Sequence, residues 1–411
     1  MTILIRSPRS NAADEAAIER IYASPRDLLS ALAGWCACLL LLGLLSTTIA
    51  PSYNWDLVPY VALAGERDET TSRAWHEQTW RDLASAVPGT HLALLRGAVA
   101  PDAGERSGDI LQFRRRVAED PIALEQQLPF YAVKPAYPLA IRGLVAIGLE
   151  PVRAAFAISV AGWFALGLAL FALLRVSFRL WVALGLLGVF MALPMVRALG
   201  GFATPDSWCA ALLVAGMVAL TVSRPRYVSA LVFFVFAVLV RPDSLLLLLP
   251  IAAVLAIGGC VSWRVAASAA LIGALCFFAQ STLSGNYGWL TLMHYSFVDY
   301  DPYPRWALQR VGLSELLQIY WSQFGHTRQF FWFLALGGGL TLLAVRTRWL
   351  WPLLALLAYM GAHWLVFPDQ KDRMLVGAYL VIVAAAAQLS LRWLIGLPRL
   401  RVLLATSPEA R

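Results

Sequence analysis

The stretch "LLSALAGWCACLLLLGLLSTTIAPSYNWDLVPYVALA" (residues 28–64) decides how the rest of the chain is read. Its first part, 28–50, carries no charge. As a helix it rises about 35 Å, enough to cross a hydrocarbon layer of about 30 Å. Directly after it come Asn54 and Asp56, between tryptophan and leucine. A carboxylate just past a membrane-length helix has two readings. It is either a solvated helix-end residue or a group placed at a membrane surface for chemistry.

Working outward, the 411 residues are 59% hydrophobic and only 14% charged. A soluble chain carries about a quarter charged residues. Apolar runs recur after residue 150. Spans are expected at roughly 28–50, 152–174, 180–199, 207–223, 227–240, 244–259, 264–283, 329–345, 349–367 and 374–395. The expected class is an all-α polytopic membrane protein with about ten transmembrane helices. Residues 1–27 are polar and mixed in charge, so 28–50 reads as a retained span and not a cleaved signal. Residues 396–411 form a tail on the same side. No internal repeat or low-complexity segment is found.

The stretch 136–149 has an arginine inside and proline near its start. About 14 residues rise roughly 21 Å, short of a crossing, so it is expected to lie in the interface. Charge supports that choice. With the N-terminus inside, the inner short loops hold Arg175 and Arg179, Arg224 and Arg226, Arg264, Arg346 and Arg348, without an acid among them. Arg392, Arg399 and Arg401 follow the last span. This is a positive-inside pattern, and it inverts if 136–149 crosses. Both termini are then cytoplasmic, and arginine bias and short loops suggest a bacterial inner membrane. Twenty of the 25 acids, both lysines and all five histidines fall outside.

The net charge of +8 comes from basic residues scattered between apolar runs, with no long basic tract, so nucleic acid is excluded as a partner. The five cysteines lie in or beside apolar runs without metal-type spacing and read as small core residues.

Two outer loops are large. Residues 51–151 contain helical segments such as 72–87, in which Trp75, Thr79, Leu83 and Ala86 share a broad face. Residues 284–328 are aromatic-rich, suited to an interfacial belt or to holding a sugar or prenyl chain.

Polar motifs punctuate these loops, each with a bland and a sharp reading. Tyr60 shares a face with Asp56 if that segment is helical. In "VKPAYP" (133–138), Lys134 anchors at the interface or binds a lipid phosphate, with Tyr137 beside it. In "GGFATPDSW" (200–208), Thr204 or Asp206 caps the helix that follows, or Asp206 takes part in chemistry. In "LVRPDSLLLLLP" (239–250), Arg241 and Asp243 break an apolar stretch at Pro242, as a structural pair or as part of a site. In "HWLVFPDQKDRMLVGAYL" (363–380), His363, Asp369, Lys371, Asp372 and Arg373 crowd a short loop, and two cations there suit a phosphate. His294 joins the candidates from the second large loop. Polar groups converging over an apolar groove are the usual pattern of a binding or active site.

Taken together, "NWDLVPY", "KPAYP", "TPDSW", "RPDS" and "KDR" resemble the polytopic glycosyltransferases of the GT-C superfamily, which include aminoarabinose transferases and protein O-mannosyltransferases. The resemblance covers most of the chain as architecture, and its motifs are short. It implies a GT-C-like fold and transfer of a sugar from a polyprenyl-phosphate-linked donor to an acceptor on the outer face. It further implies catalytic roles for Asp56, as general base, and Asp206. Substrate contacts are implied for Tyr60, Lys134, Tyr137, Arg241, Asp243, His294, His363, Lys371 and Arg373. Some relatives carry two adjacent acids in the first loop. Asp56 has no adjacent acid here, so a divalent metal stays open as a cofactor. The rival readings are a lipid or small-molecule transporter or flippase, and a non-catalytic envelope partner.

Overall fold

The computed structural model describes residues 25–65, 72–99, 107–307, 311–325, 327–345, 347–368 and 372–395. The regular structure among these residues is helical, apart from one isolated parallel bridge between Ser52 and Phe202. In chain order the helices are α1 (Pro25–Ser46), α2 (Leu57–Ala64), α3 (Ser72–Ala86), α4 (Gly89–Leu95), α5 (Ser107–Glu119), α6 (Pro121–Gln127), α7 (Pro129–Ala132), α8 (Ala136–Ala146) and α9 (Pro151–Arg175). They continue with α10 (Leu180–Ala192), α11 (Pro194–Gly201), α12 (Asp206–Thr221), α13 (Tyr227–Val240), α14 (Leu245–Ile257) and α15 (Trp263–Leu283). The last are α16 (Trp289–Phe297), α17 (Pro304–Ala307), α18 (Leu313–Phe324), α19 (Arg328–Leu343), α20 (Leu350–Val366) and α21 (Val376–Ile395). Short 3-10 turns precede α14 (Pro242–Ser244) and α21 (Asp372–Met374).

By length and composition, α1, α9 and α15 can each cross a membrane. The expected span 180–199 is not one helix. It breaks into α10 and α11 with a bend of 67°, and the pair qualifies only if taken as a single crossing. Pro194 is the cause. It cannot donate to the preceding turn, but its fixed φ suits the first position of a new helix. Five of the other expected spans coincide with shorter apolar helices, α12, α13, α14, α20 and α21, and 329–345 falls on α19. Leu40, Leu44, Leu275, Phe278 and Leu342 are more than half exposed. The outward faces of these helices are therefore as apolar as the inward ones, as expected of helices in a hydrocarbon solvent.

The long helices form one layer with a single core. Helix α9 packs on α11 and α12, α12 on α13 and α21, and α14 on α15 and α20. Gly162 lets α9 and α12 touch, because a Cβ there would stand 2.9 Å from the Trp208 nitrogen. The end of α1 is closed locally: the hydroxyls of Ser46, Thr47 and Thr48 donate to the carbonyls of Gly43, Leu44 and Leu45. Arg197 then donates to the Thr48 carbonyl at 2.6 Å, satisfying a group that lies past the helix end.

The loop segments build a second layer across one end of the first. Its core joins Leu57, Val58 and Val61 of α2 with Trp75, Trp80 and Leu83 of α3, Phe113 and Val117 of α5, and Tyr137 and Ile141 of α8. Burying each large apolar side chain stabilises this layer by about 1.5–3 kcal/mol. The expected face of α3 is the one buried, and His76 joins it, its Nε2 lying 3.1 Å from both the Val117 carbonyl and Trp80 Nε1; it donates to the first or accepts from the second, according to tautomer. The aromatic loop of 284–328 docks onto this layer and does not stand apart from it. Gln127 Nε2 donates to the carbonyls of Asp301 and Pro302, Tyr303 donates to Asp120 at 2.5 Å, and Tyr295 stacks on Phe130 at 4.8 Å.

Candidate functional site

Five separate stretches of chain meet where the loop layer covers the ends of the long helices. The first is 51–56. Its backbone runs beside 201–204 because the Ser52 nitrogen donates to the Gly201 carbonyl at 2.8 Å. Only glycine fits there, since a Cβ on residue 201 would stand 2.5 Å from the Ala50 carbonyl oxygen. This pairing brings Asp56, at the start of α2, toward Asp206, at the start of α12.

Asp206 is not the helix cap its position suggests. No side chain caps α12, and Thr204 Oγ1 donates to the Asp206 carboxylate at 2.9 Å instead. The carboxylate faces inward because two arginines hold it. Arg241 Nη1 pairs with its Oδ1, and Arg373 Nε lies 3.3 Å from its Oδ2. Arg373 also pairs with Asp56, Nη2 to Oδ2, at 2.8 Å. Arg373 therefore bridges the two acids. Its guanidinium pKa is raised above the ordinary arginine value because Asp56 and Asp206 outweigh the cost of burial.

Arg241 follows α13, where Pro242 ends the helix and a 3-10 turn begins. It grips Asp243 with two parallel bonds, at 3.0 and 2.9 Å, while reaching Asp206 with its remaining nitrogen. The bidentate fork is the geometry that makes an arginine hard to replace by lysine. His363 Nε2 lies 3.5 Å from the same Asp243 carboxylate. Arg241, Asp206 and His363 are all nearly inaccessible. Buried charges of this kind persist only when paired.

Asp56 also accepts from Asn54 Nδ2 at 3.0 Å and from the Tyr131 hydroxyl at 3.2 Å. Burial and the neighbouring Asp56 carboxylate push the Tyr131 pKa well above the ordinary tyrosine value, so it stays a neutral donor. Lys134 is half-buried, with its ammonium 5.7 Å from the centre of the Tyr131 ring. Burial, then the Arg241 guanidinium, lower its pKa against the pull of Asp56, Asp206 and Asp243.

The remaining candidates are placed differently. Tyr60 is fully buried beneath the cluster, its ring edge on Tyr131 and Tyr137, and its hydroxyl has no hydrogen-bond partner among the described residues. Tyr137 gives its hydroxyl to α9, bonding to the Ala155 carbonyl at 2.8 Å and to Ser159 at 2.7 Å. His294 is buried in α16, and no hydrogen bond or ion pair joins it to the cluster. Asp369 and Lys371 lie outside the described residues.

A cavity of about 490 Å³ opens onto Asp56 and Arg373. Its walls are aromatic: Trp55, Phe113, Tyr131, Phe202, Tyr295 and Tyr300. Both large loops contribute, which neither loop shows alone in sequence. Arg114 also faces it, and nothing in the run "RRR" (114–116) marks one arginine as different from its neighbours. Among the described residues, no group of three or more His, Cys, Asp or Glu side chains is placed to hold a metal ion. The five cysteines are free thiols.

Chemically, the site offers a carboxylate at a cavity wall, a guanidinium shared between two acids, and aromatic faces for an uncharged ring. Compared with family models, curated proteins and solved structures, the chain matches none.

Proposed function

We propose that the chain is an integral-membrane glycosyltransferase of the GT-C type. It takes a sugar from a polyprenyl-phosphate-linked donor and gives it to an acceptor on the outer face of a bacterial inner membrane. In this reading the apolar helices make about ten crossings, and the loop layer with its cavity lies on the outer side. One observation carries the reading: Asp56 lines an aromatic cavity and shares Arg373 with Asp206.

The reaction needs what these groups can supply. The acceptor hydroxyl gives its proton to the Asp56 carboxylate. Its oxygen lone pair forms the new bond at the anomeric carbon. The bond from that carbon to the phosphate oxygen breaks, and its electron pair stays on the phosphate. A carboxylate base of this kind contributes about 10²–10⁴-fold. Negative charge builds on the leaving phosphate, and fixed cations lower that barrier. Arg373 is the cation nearest the base, with Lys134 close by. Asp206, itself held by Arg241, keeps Arg373 in place. The aromatic walls take the sugar ring.

The test is purified protein in liposomes with a panel of labelled polyprenyl-phosphate sugars and envelope acceptors. The reading expects label to leave the lipid and free lipid phosphate to appear in equal amount. A second reading, a lipid carrier, draws on the helix broken at Arg241 and Pro242. It expects donor to change leaflet with its phosphate–sugar bond intact.

A further inference from the structure

Arg114 is the one member of the "RRR" run that turns inward; Arg115 and Arg116 are exposed. The reason lies in the phase of α5. Phe113 and Val117 are buried one turn apart, and Arg114 flanks that stripe at the cavity wall. Its guanidinium lies 5.7 Å from the centre of the Trp55 ring, and Nη1 donates to the Leu94 carbonyl at 3.0 Å. No carboxylate pairs with it among the described residues. Arg373, the other cation of this cavity, is spent on Asp56 and Asp206. The neighbours of Arg114 are Tyr131, Tyr295 and Tyr300, and burial lowers its pKa. A half-buried cation without a counter-charge is costly, and the cost is recovered when an anion arrives. Trp55 Nε1 is buried without a hydrogen-bond partner among the described residues, a donor that an oxyanion can also use.

We propose that Arg114 anchors an oxyanion of the substrate, a phosphate or a carboxylate. Trp55, Phe113, Tyr295 and Tyr300 hold the uncharged ring or hydrocarbon attached to it. This rests on the reading of the cavity as the transfer site, and it narrows the ligand: one partner in the reaction must present an anion to the α5 wall. That anion comes either from the phosphate of the lipid donor or from an acidic acceptor sugar.

Binding to the full chain in detergent separates these sources. Geranyl phosphate is compared with geraniol, and methyl glucuronide with methyl glucoside, following tryptophan fluorescence and calorimetry. At least one anion should bind about tenfold or more tightly than its neutral counterpart, as a charge-assisted pair implies. Preference in the lipid pair assigns the anion to the donor, and preference in the sugar pair assigns it to the acceptor. Arg114→Gln, whose amide can still donate to the Leu94 carbonyl, should erase the preference without moving the thermal midpoint of the free protein. Arg114→Lys keeps the charge and should retain most of the preference, which covers the case of a Gln variant that does not fold. The proposal is overturned if neither anion is preferred, or if Arg114→Gln binds them as wild type does. An unchanged preference in Arg114→Gln together with loss of sugar transfer in Asp56→Asn removes the anchor and leaves the transfer reading standing. Loss of preference in Arg114→Gln with normal transfer by Asp56→Asn does the reverse.

Discussion

The long-helix layer buries a polar cluster at each end, and the two are built from different chemistry. At the end under the loop layer, Asp56, Asp206, Asp243, Arg241 and Arg373 meet as ions. At the other end Gln388 is the hub. Its amide accepts from Ser177 at 2.9 Å and from Trp349 Nε1 at 3.1 Å, and donates to the Leu173 carbonyl at 3.0 Å. Gln388 itself is neutral, with the Arg348 guanidinium at the hub's edge, 3.5 Å from the Ser177 hydroxyl, and its contacts tie α9, α20 and α21 together. The first cluster is charged and borders a cavity. Neutral, satisfied dipoles fasten helices at modest cost. Ions under the same conditions are expensive, so a charged cluster beside an opening is the place to look for chemistry.

The comparison breaks first at Arg241. Arg241→Met leaves buried Asp206 and half-buried Asp243 without their shared partner, and should destabilise the protein by about 3–5 kcal/mol. A thermal unfolding midpoint in detergent checks this. A variant as stable as wild type would mean that the ions at this end are no more committed than the amide at the other.

Next comes Gln388→Leu, which orphans Trp349 Nε1 and leaves the Leu173 carbonyl with only the Val176 nitrogen as donor. A loss of about 1–3 kcal/mol is expected, with unchanged sugar transfer per folded molecule. A specific loss of transfer would show that the two ends are coupled and not merely different.

The smallest effect sharpens the charged side. Tyr303→Phe removes the hydrogen bond to Asp120 that latches the aromatic loop to the first loop. It should cost about 1 kcal/mol and speed amide exchange in α16 and α17 relative to α20. Equal exchange in the two regions would show that the loops do not depend on this latch.

Much of this was legible in sequence, for reasons specific to each residue. Asp56, Lys134, Asp206, Arg241, Asp243, His363 and Arg373 stood out because each interrupts or borders an apolar run, where a charge needs an explanation. The structure gathers them in one place. What the motifs hid was pairing. Asp206 sits where a cap belongs, and only the approach of Arg241 and Arg373 shows that its carboxylate is engaged elsewhere. Tyr131 and Arg114 were hidden because their neighbours give no contrast: one lies among loop aromatics, the other in a basic run that reads as a solvated face. The 67° break at Pro194 was masked by apolar residues on both sides. Tyr137 was legible only as the aromatic that follows the lysine and proline in "KPAYP"; its hydroxyl fastens α8 to α9.

The central claim is that the Asp56 carboxylate takes the acceptor proton. It is tested most directly by comparing initial rates of sugar transfer for wild type and Asp56→Asn under identical donor and acceptor, once a donor is accepted by wild type. The asparagine keeps the shape and can still accept from Tyr131. The account predicts a loss of about 10³-fold in rate, with the thermal midpoint and binding of the donor little changed. Transfer by Asp56→Asn at the wild-type rate would contradict it.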